Sequence, residues 1–164
     1  MDFFDLHCDT LTECMDDGDS LLKNERDIDF ERGSIFGRWN QVFAVFVPDS
    51  MDDSLVEGYF DSACNFYFDE LKKKGDVFPI LSSEDVRGHS RGVMLAMESS
   101  RGVGSLERLE KLYERGLRLI TLTWNHKNRA AGGCDEGGGL TDWGRELVSK
   151  MEKLGIVTDV SHLS

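Results

Sequence analysis

Apolar and polar residues are distributed along the chain in a pattern that predicts strands separated by helices. Five short runs are rich in apolar and β-branched residues: Phe3–His7, Gln41–Val47, Val93–Met97, Arg118–Trp124 and Ile156–Val160. A sixth and weaker run covers Val77–Leu81. Strands that alternate with helices are typical of βα units and a parallel sheet. Several runs are apolar almost throughout, which predicts a sheet covered on both faces.

Three helices are predicted between these runs by their start signals. Ser54 and Glu57 have the spacing of a capping box. They precede an apolar stripe made of Leu55, Tyr59, Ala63, Phe66, Tyr67 and Leu71, and the helix is expected to end near Lys74 and Gly75. Ser105 predicts the start of a second helix that ends before Gly116. Thr141 predicts the start of a third helix that ends at Gly155.

Length and composition predict one globular domain spanning residues 1–164, with no linker and no internal repeat. The hydrophobic content of 40% and the charged content of 30% are ordinary for such a domain. The formal net charge of −12 disfavours nucleic acids and anionic membranes as partners, because their phosphates would be repelled.

The chain carries no sequence signal for a membrane span or for secretion. No apolar run approaches the roughly 18 residues that a transmembrane helix needs, and Asp2 and Asp5 interrupt the start where a signal peptide would be apolar. The four cysteines lack CxxC spacing, which disfavours a zinc finger and a disulfide framework. We therefore predict a cytoplasmic location.

Four candidate metal ligands sit at the carboxyl ends of predicted strands: His7, Asp9, Glu98 and His162. His7 and Asp9 are two residues apart, so an extended strand would place them on one face. The carboxyl ends of parallel strands are where α/β proteins bind ligands. Imidazole and carboxylate together suit zinc, and a carboxylate between two such sites bridges two ions. The pattern predicts a metal site.

Each of these residues also has an ordinary structural interpretation. A single His-x-Asp occurs by chance, Glu98 would be stabilised at a helix start by the helix dipole, and His162 would serve as a hydrogen-bonded core histidine. The placement of all four after strands favours the metal site over these separate explanations. The glycines at 132–133 and 137–139 lack the arrangement of a phosphate-binding loop, and are expected to form a loop that leads to Thr141.

Five segments follow one another in a characteristic order along the chain. They are Asp-Leu-His-Cys-Asp-Thr at 5–10, Leu-Ala-Met-Glu-Ser at 95–99, Leu-Ile-Thr-Leu-Thr-Trp-Asn at 119–125, Gly-Leu-Thr-Asp-Trp-Gly-Arg-Glu-Leu-Val at 139–148 and Asp-Val-Ser-His at 159–162. In this wording and order the chain closely resembles the membrane (renal) dipeptidase family of zinc metallopeptidases, including its soluble bacterial members.

The resemblance implies an α/β fold, namely the N-terminal part, about five βα units, of a (β/α)8 TIM barrel. It implies that His7 and Asp9 ligate one zinc ion, that Glu98 bridges two zinc ions (Zn2+) at the catalytic centre, and that His162 ligates the second. It further implies a hydrolase that cleaves dipeptides with a water activated by the two metals, often tolerating a D-residue at the C-terminal side, and a possible homodimer.

One position departs from the renal members of this family. They place a substrate-contacting histidine after Leu-Thr-Leu-Thr, where this chain has Trp124, as its bacterial-type relatives do. His126 follows two residues later and becomes the candidate substrate contact, with an ordinary loop histidine as the alternative. His89 is expected to be exposed in a charged loop.

A (β/α)8 barrel takes about 250 residues, so the 164-residue chain is expected to be an N-terminal fragment with little or no peptidase activity in isolation. Two alternatives stay open. One is a non-catalytic metal-binding or interaction module derived from the same fold. The other is a related metal-dependent hydrolase with a non-peptide substrate.

Overall fold

Strands and helices alternate along the chain, as the hydrophobic pattern predicts. The computed structural model describes residues 1–164. Its elements are β1 (Asp2–Asp5), α1 (Thr10–Asp17), α2 (Phe30–Gly33), β2 (Arg38–Phe46), α3 (Asp53–Lys73), β3 (Phe78–Pro79), α4 (Ser83–Gly88), β4 (Arg91–Glu98), a 3-10 turn (Ser100–Val103), α5 (Leu106–Glu114), β5 (Leu117–Thr121), α6 (Asp142–Leu154) and β6 (Val157–Asp159). All six predicted apolar runs overlap a strand. The helices α1, α2 and α4 were not predicted.

The strands form one six-stranded sheet in the order β1-β2-β4-β5-β6, with β3 paired to β4 beside this path. The pairs β1/β2, β3/β4 and β5/β6 are parallel. In their registers Asp5 lies opposite Gln41, and Thr121 lies opposite Asp159. Parallel strands joined by helical crossovers confirm the predicted α/β fold class.

The chain divides into two compact units, one made of Met1–Val45 and Ser62–Leu95 and the other of Phe46–Asp61 and Ala96–Ser164. The core of the first unit includes Leu11, Phe30, Trp39, Phe43 and Tyr67. The core of the second unit includes Phe60, Met97, Leu109, Leu112, Ile120, Leu147 and Met151. That residues 1–164 fold as a single domain stays a prediction.

The start of α3 differs from the prediction. The capping box of Ser54 and Glu57 is wrong, because Ser54 donates its N–H and hydroxyl to the Asp52 carboxylate, at 2.9 and 2.6 Å. Glu57 instead lies 3.4 Å from the Nε atom of Arg108. Leu55, which was expected in the apolar stripe, is 62% exposed. The buried face of the helix is instead centred on Val56, Phe60, Ala63, Tyr67 and Leu71.

The predicted starts of α5 and α6 are confirmed. The Ser105 hydroxyl accepts the Arg108 N–H at 3.1 Å, and the Thr141 hydroxyl accepts the Gly144 N–H at 2.9 Å. Gly155 ends α6 with φ of 79°, a conformation that glycine adopts without strain. These helix ends agree with the prediction because capping depends on neighbouring residues only.

Two expectations about histidines also change. β1 ends at Asp5 and β6 ends at Asp159, so His7 lies two residues and His162 three residues beyond the end of its strand. His89 is half-buried and stacks on Phe78 with ring centroids 4.1 Å apart, so it is not an exposed loop residue.

None of the helices has the length and apolar composition that crossing a membrane requires.

A buried carboxylate in the first unit makes stability depend on pH. Glu70 is 1% exposed and accepts hydrogen bonds from the Ser20 hydroxyl at 2.5 Å, the Leu21 N–H at 2.8 Å and the Lys73 ammonium group. Burial acts to raise the pKa of Glu70, but the bonds from Lys73, Ser20 and Leu21 together lower it below its ordinary value. The carboxylate therefore stabilises the folded chain above the unfolded pKa, and this contribution is lost as pH falls through the folded pKa.

We therefore expect Glu70→Gln to lower the free energy of unfolding at neutral pH by about 1–3 kcal/mol. The difference from the wild-type chain should shrink below about pH 4, where the wild-type carboxyl also takes up a proton. Urea unfolding at neutral and acidic pH measures both values. Asp69→Asn is the matched control, since Asp69 is 64% exposed beside Lys72 and its loss should change stability by less than about 0.5 kcal/mol. A Glu70→Gln loss of stability that is equal at both pH values would contradict the stabilising role of the ionised Glu70 carboxylate.

Candidate metal centre

His7 and Asp9 lie in the connection between β1 and α1. Pairing with β2 resumes at Cys8, whose N–H donates to the Val42 carbonyl at 3.0 Å and whose carbonyl accepts the Ala44 N–H at 2.9 Å. The side chains on either side of Cys8 meet, with 3.2 Å between His7 Nε2 and Asp9 Oδ1. These side chains are 40% and 46% exposed. The predicted pairing of the two residues is therefore present, although it occurs beyond the strand rather than within it.

The position of Asp9 at a helix start leaves its carboxylate available. Asp9 is the N-cap residue of α1, and aspartate is favoured there because its carboxylate accepts an N–H of the first turn. Its side chain makes no such bond in this structure. The carboxylate faces His7 instead.

Cys8, between the two candidate ligands, has different chemistry. Burial raises the pKa of the Cys8 thiol to about 12. At neutral pH the Cys8 thiol is therefore protonated in the metal-free chain.

Glu98 and His162 form the second pair. Glu98 is the last residue of β4, is 3% exposed, and accepts the Val47 N–H with its main-chain carbonyl at 2.7 Å. Its Oε1 atom lies 3.4 Å from Nε2 of His162, which follows β6. A buried carboxylate and an imidazole ring nitrogen thus face each other within the second unit.

Each unit offers one imidazole nitrogen beside one carboxylate oxygen, from His7 and Asp9 in the first unit and from His162 and Glu98 in the second. Imidazole nitrogen together with carboxylate oxygen is a donor set that suits zinc and similar divalent ions. The residues present therefore fit the metal that the sequence predicts.

His126 lines a cavity of about 470 Å³ in the second unit. The loops after β2, β4 and β5 form this cavity, with lining side chains that include Asp49, Asp53, Arg101, Lys127 and Arg129. The His126 N–H donates to the Asp49 carboxylate at 3.3 Å. Its ring Nδ1 is 3.7 Å from Asp135 and 3.8 Å from Glu136. His126 is therefore exposed in a polar cavity, which is compatible with either role predicted for it.

The connection between β5 and α6 contributes a residue that the sequence did not single out. Asn125 places its Oδ1 atom 2.9 Å from Nδ1 of His162. The glycine-rich part of the same connection folds back on itself, since the Gly132 N–H donates to the Gly139 carbonyl at 3.0 Å. In the sequence Asn125 directly follows a predicted strand and ends the 119–125 segment of the family resemblance, but nothing there gave it a role.

Comparison with known proteins matches the chain to a family of dipeptidases and to a bacterial relative. A family model described as membrane dipeptidase (peptidase family M19) matches residues 1–164. An uncharacterised protein in the PQQ-III 3' region of Acinetobacter calcoaceticus is 31% identical over 91 residues, which are 49% of this chain and 29% of that protein.

Solved structures share the fold. A dipeptidase described as a metallopeptidase of family M19 superposes with a TM-score of 0.87 at 20% identity, covering 100% of this chain and 57% of that one. A metallopeptidase from Rhodobacter sphaeroides, liganded with a phosphinate mimic of the dipeptide L-Ala-D-Ala, gives 0.84 at 18% identity, covering 100% and 59%. The chain thus spans less than two thirds of the length of these relatives. Its sheet corresponds to part of their TIM barrel, which confirms the predicted architecture.

Proposed function

Because the chain belongs to the membrane dipeptidase family, peptidase family M19, we propose that it carries metal-binding strands of a zinc-dependent dipeptidase. The proposed substrates are dipeptides, including those with a D-residue at the C-terminal side. The phosphinate mimic of L-Ala-D-Ala held by the Rhodobacter sphaeroides relative supports this class of substrate.

The approach of His162 Nε2 to the buried Glu98 carboxylate, 3.4 Å from Oε1, is the observation that carries the proposal. We assign His7 and Asp9 to one zinc ion, Glu98 to a bridge between two ions, and His162 to the second ion. The 3.2 Å approach of His7 Nε2 to Asp9 Oδ1 supports the first assignment.

When bound, two such cations acidify a water molecule and polarise the carbonyl of the scissile peptide bond. The residues of the chain prepare the site for this chemistry. Glu98 is held at the end of β4 with its carboxylate shielded from solvent, whereas the side chains of His7 and Asp9 stay half exposed, where a substrate has access to them. His126 is the proposed substrate contact, and its cavity of about 470 Å³ lies within the ~300–1,000 Å³ range of small-molecule sites.

We also propose a cytoplasmic location, which the four free cysteines support, because disulfides are rare in reducing compartments. The net charge of −12 supports a role without nucleic acid or membrane partners. A homodimer stays a prediction from the family resemblance.

The test uses the purified 164-residue chain with and without zinc. We expect zinc binding with at most slow hydrolysis of L-Ala-D-Ala, because the chain spans less than two thirds of the length of the dipeptidases that it matches. Asp9→Asn and His162→Ala should each reduce zinc binding and remove the hydrolysis, and His126→Ala should raise KM more than it lowers kcat.

Other outcomes support the alternative functions. A compact monomer with a cooperative melt and stoichiometric zinc but no turnover of any dipeptide would favour the metal-binding module. Hydrolysis of acylated amino acids or lactones, but not of dipeptides, would favour a related hydrolase. Equal zinc affinity in the wild-type chain and both ligand variants would contradict the assigned site.

A further inference from the structure

His162 has a backbone conformation that its neighbours must hold in place. Its φ is 63°, and it is the one residue other than glycine with a positive φ. This left-handed conformation costs a residue with a Cβ atom roughly 1–2 kcal/mol. Such residues persist where surrounding contacts fix them, often at functional sites.

The contacts that fix His162 come from the connection between β5 and α6. The His162 carbonyl accepts the Cys134 N–H at 2.8 Å and lies 3.3 Å from the Thr123 hydroxyl, which donates to it. The ring is held by Asn125, whose Oδ1 atom lies 2.9 Å from Nδ1. One connection therefore sets both the backbone and the side chain of His162.

Asn125 is itself held in position. Its main-chain carbonyl accepts the Asp135 N–H at 3.1 Å. The Cys134 sulfur lies 3.6 Å from its Oδ1 atom. The acceptor that faces the His162 ring is thus placed by the fold.

This contact determines which nitrogen of the ring is free. An amide oxygen only accepts hydrogen bonds, so the Nδ1 atom of His162 carries the proton that it shares with Asn125. In the neutral ring the Nε2 atom then directs a lone pair toward Glu98 Oε1, 3.4 Å away. The unprotonated Nε2 atom and the Glu98 carboxylate both only accept hydrogen bonds. They face each other favourably when a cation lies between them.

We propose that Asn125 is a positioning residue that keeps His162 in the Nδ1–H tautomer and directs Nε2 toward the metal site. This inference rests on the proposed function, in which His162 is a zinc ligand. A histidine that donates its second ring N–H to a fixed acceptor is oriented and made more basic as a metal ligand. Asn125 does not bind zinc itself, because it acts only by orienting His162.

The tautomer is measured without metal, by long-range 1H–15N NMR of the 164-residue chain at about pH 9, where ordinary histidines are neutral. The His162→Gln chain identifies the signals of His162 among the four histidines. We expect Nδ1–H in the wild-type chain, a shift toward Nε2–H in Asn125→Ala, and retained Nδ1–H in Asn125→Asp, which keeps an acceptor. Glu146→Ala, an exposed change on α6, is the control and should also retain Nδ1–H. Nε2–H in the wild-type chain, or no change in Asn125→Ala, would overturn the proposal.

Zinc affinity of the same chains, from competition with a chromophoric chelator, separates this inference from the proposed function. We expect Asn125→Ala to weaken zinc binding by about 10–100-fold and Asn125→Asp to restore it. If the tautomer responds as expected but His162→Ala binds zinc as tightly as the wild-type chain, the assignment of His162 as a ligand fails while the orienting bond stands. If Asn125→Ala does not fold, the wild-type tautomer and the Asn125→Asp chain still decide the question.

Discussion

The Glu98→Ala chain is expected to lose zinc binding more completely than any other single variant of the site. Glu98 is the buried carboxylate that faces His162 Nε2 at 3.4 Å and that we assign as the bridge between the two ions. Its loss removes a ligand from both proposed ions at once. The affinity for zinc should fall by more than the ~100-fold that losing an outer hydrogen-bonding partner of a ligand costs. Competition with a chromophoric chelator measures this change.

Two further variants separate loss of the ligand from loss of the fold. Glu98→Gln keeps the size of this buried side chain and removes its charge, so it should fold like the wild-type chain and still bind zinc weakly. Glu146→Ala removes an exposed glutamate of α6 and should leave zinc affinity unchanged. Equal affinities for Glu98→Ala and Glu146→Ala would refute the role of Glu98.

The Gly133→Ala chain is expected to be destabilised by about 3 kcal/mol and to bind zinc weakly. A Cβ atom at Gly133 would lie 2.2 Å from the carbonyl oxygen of Asn125 and 2.5 Å from its carbonyl carbon. Both atoms are backbone, so the added methyl group moves the residue that holds His162. The connection between β5 and α6 then no longer keeps His162 in place.

Thermal unfolding followed by circular dichroism, together with zinc titration, measures these effects. Gly58→Ala is the matched control, because a Cβ atom there meets nothing within 4 Å in α3. Alanine is favoured over glycine inside a helix, so this control should gain about 0.5–1 kcal/mol. A Gly133→Ala chain that melts with the wild-type chain and keeps its zinc affinity would show that the connection tolerates the methyl group.

Features that depend on neighbouring residues were predictable from the sequence. The apolar runs located the strands, and Ser105 and Thr141 marked the starts of α5 and α6, because periodicity and capping act over a few residues. The failure at Ser54 has the same origin. Asp52, two residues before Ser54, offers a carboxylate that accepts hydrogen bonds at the same helix start. Spacing alone did not indicate whether Asp52 or Ser54 would cap the helix.

By itself the sequence determined the βα pattern, the family resemblance and the residue types that bind metal: His7, Asp9, Glu98 and His162. Only the tertiary structure decided which side chains meet, namely Glu98 with His162 and Asn125 with His162. The physical reason is that these contacts join residues distant in the chain, and strand order and loop packing bring them together. The left-handed backbone of His162 is likewise held by contacts from the connection between β5 and α6, which no local pattern around His162 encodes.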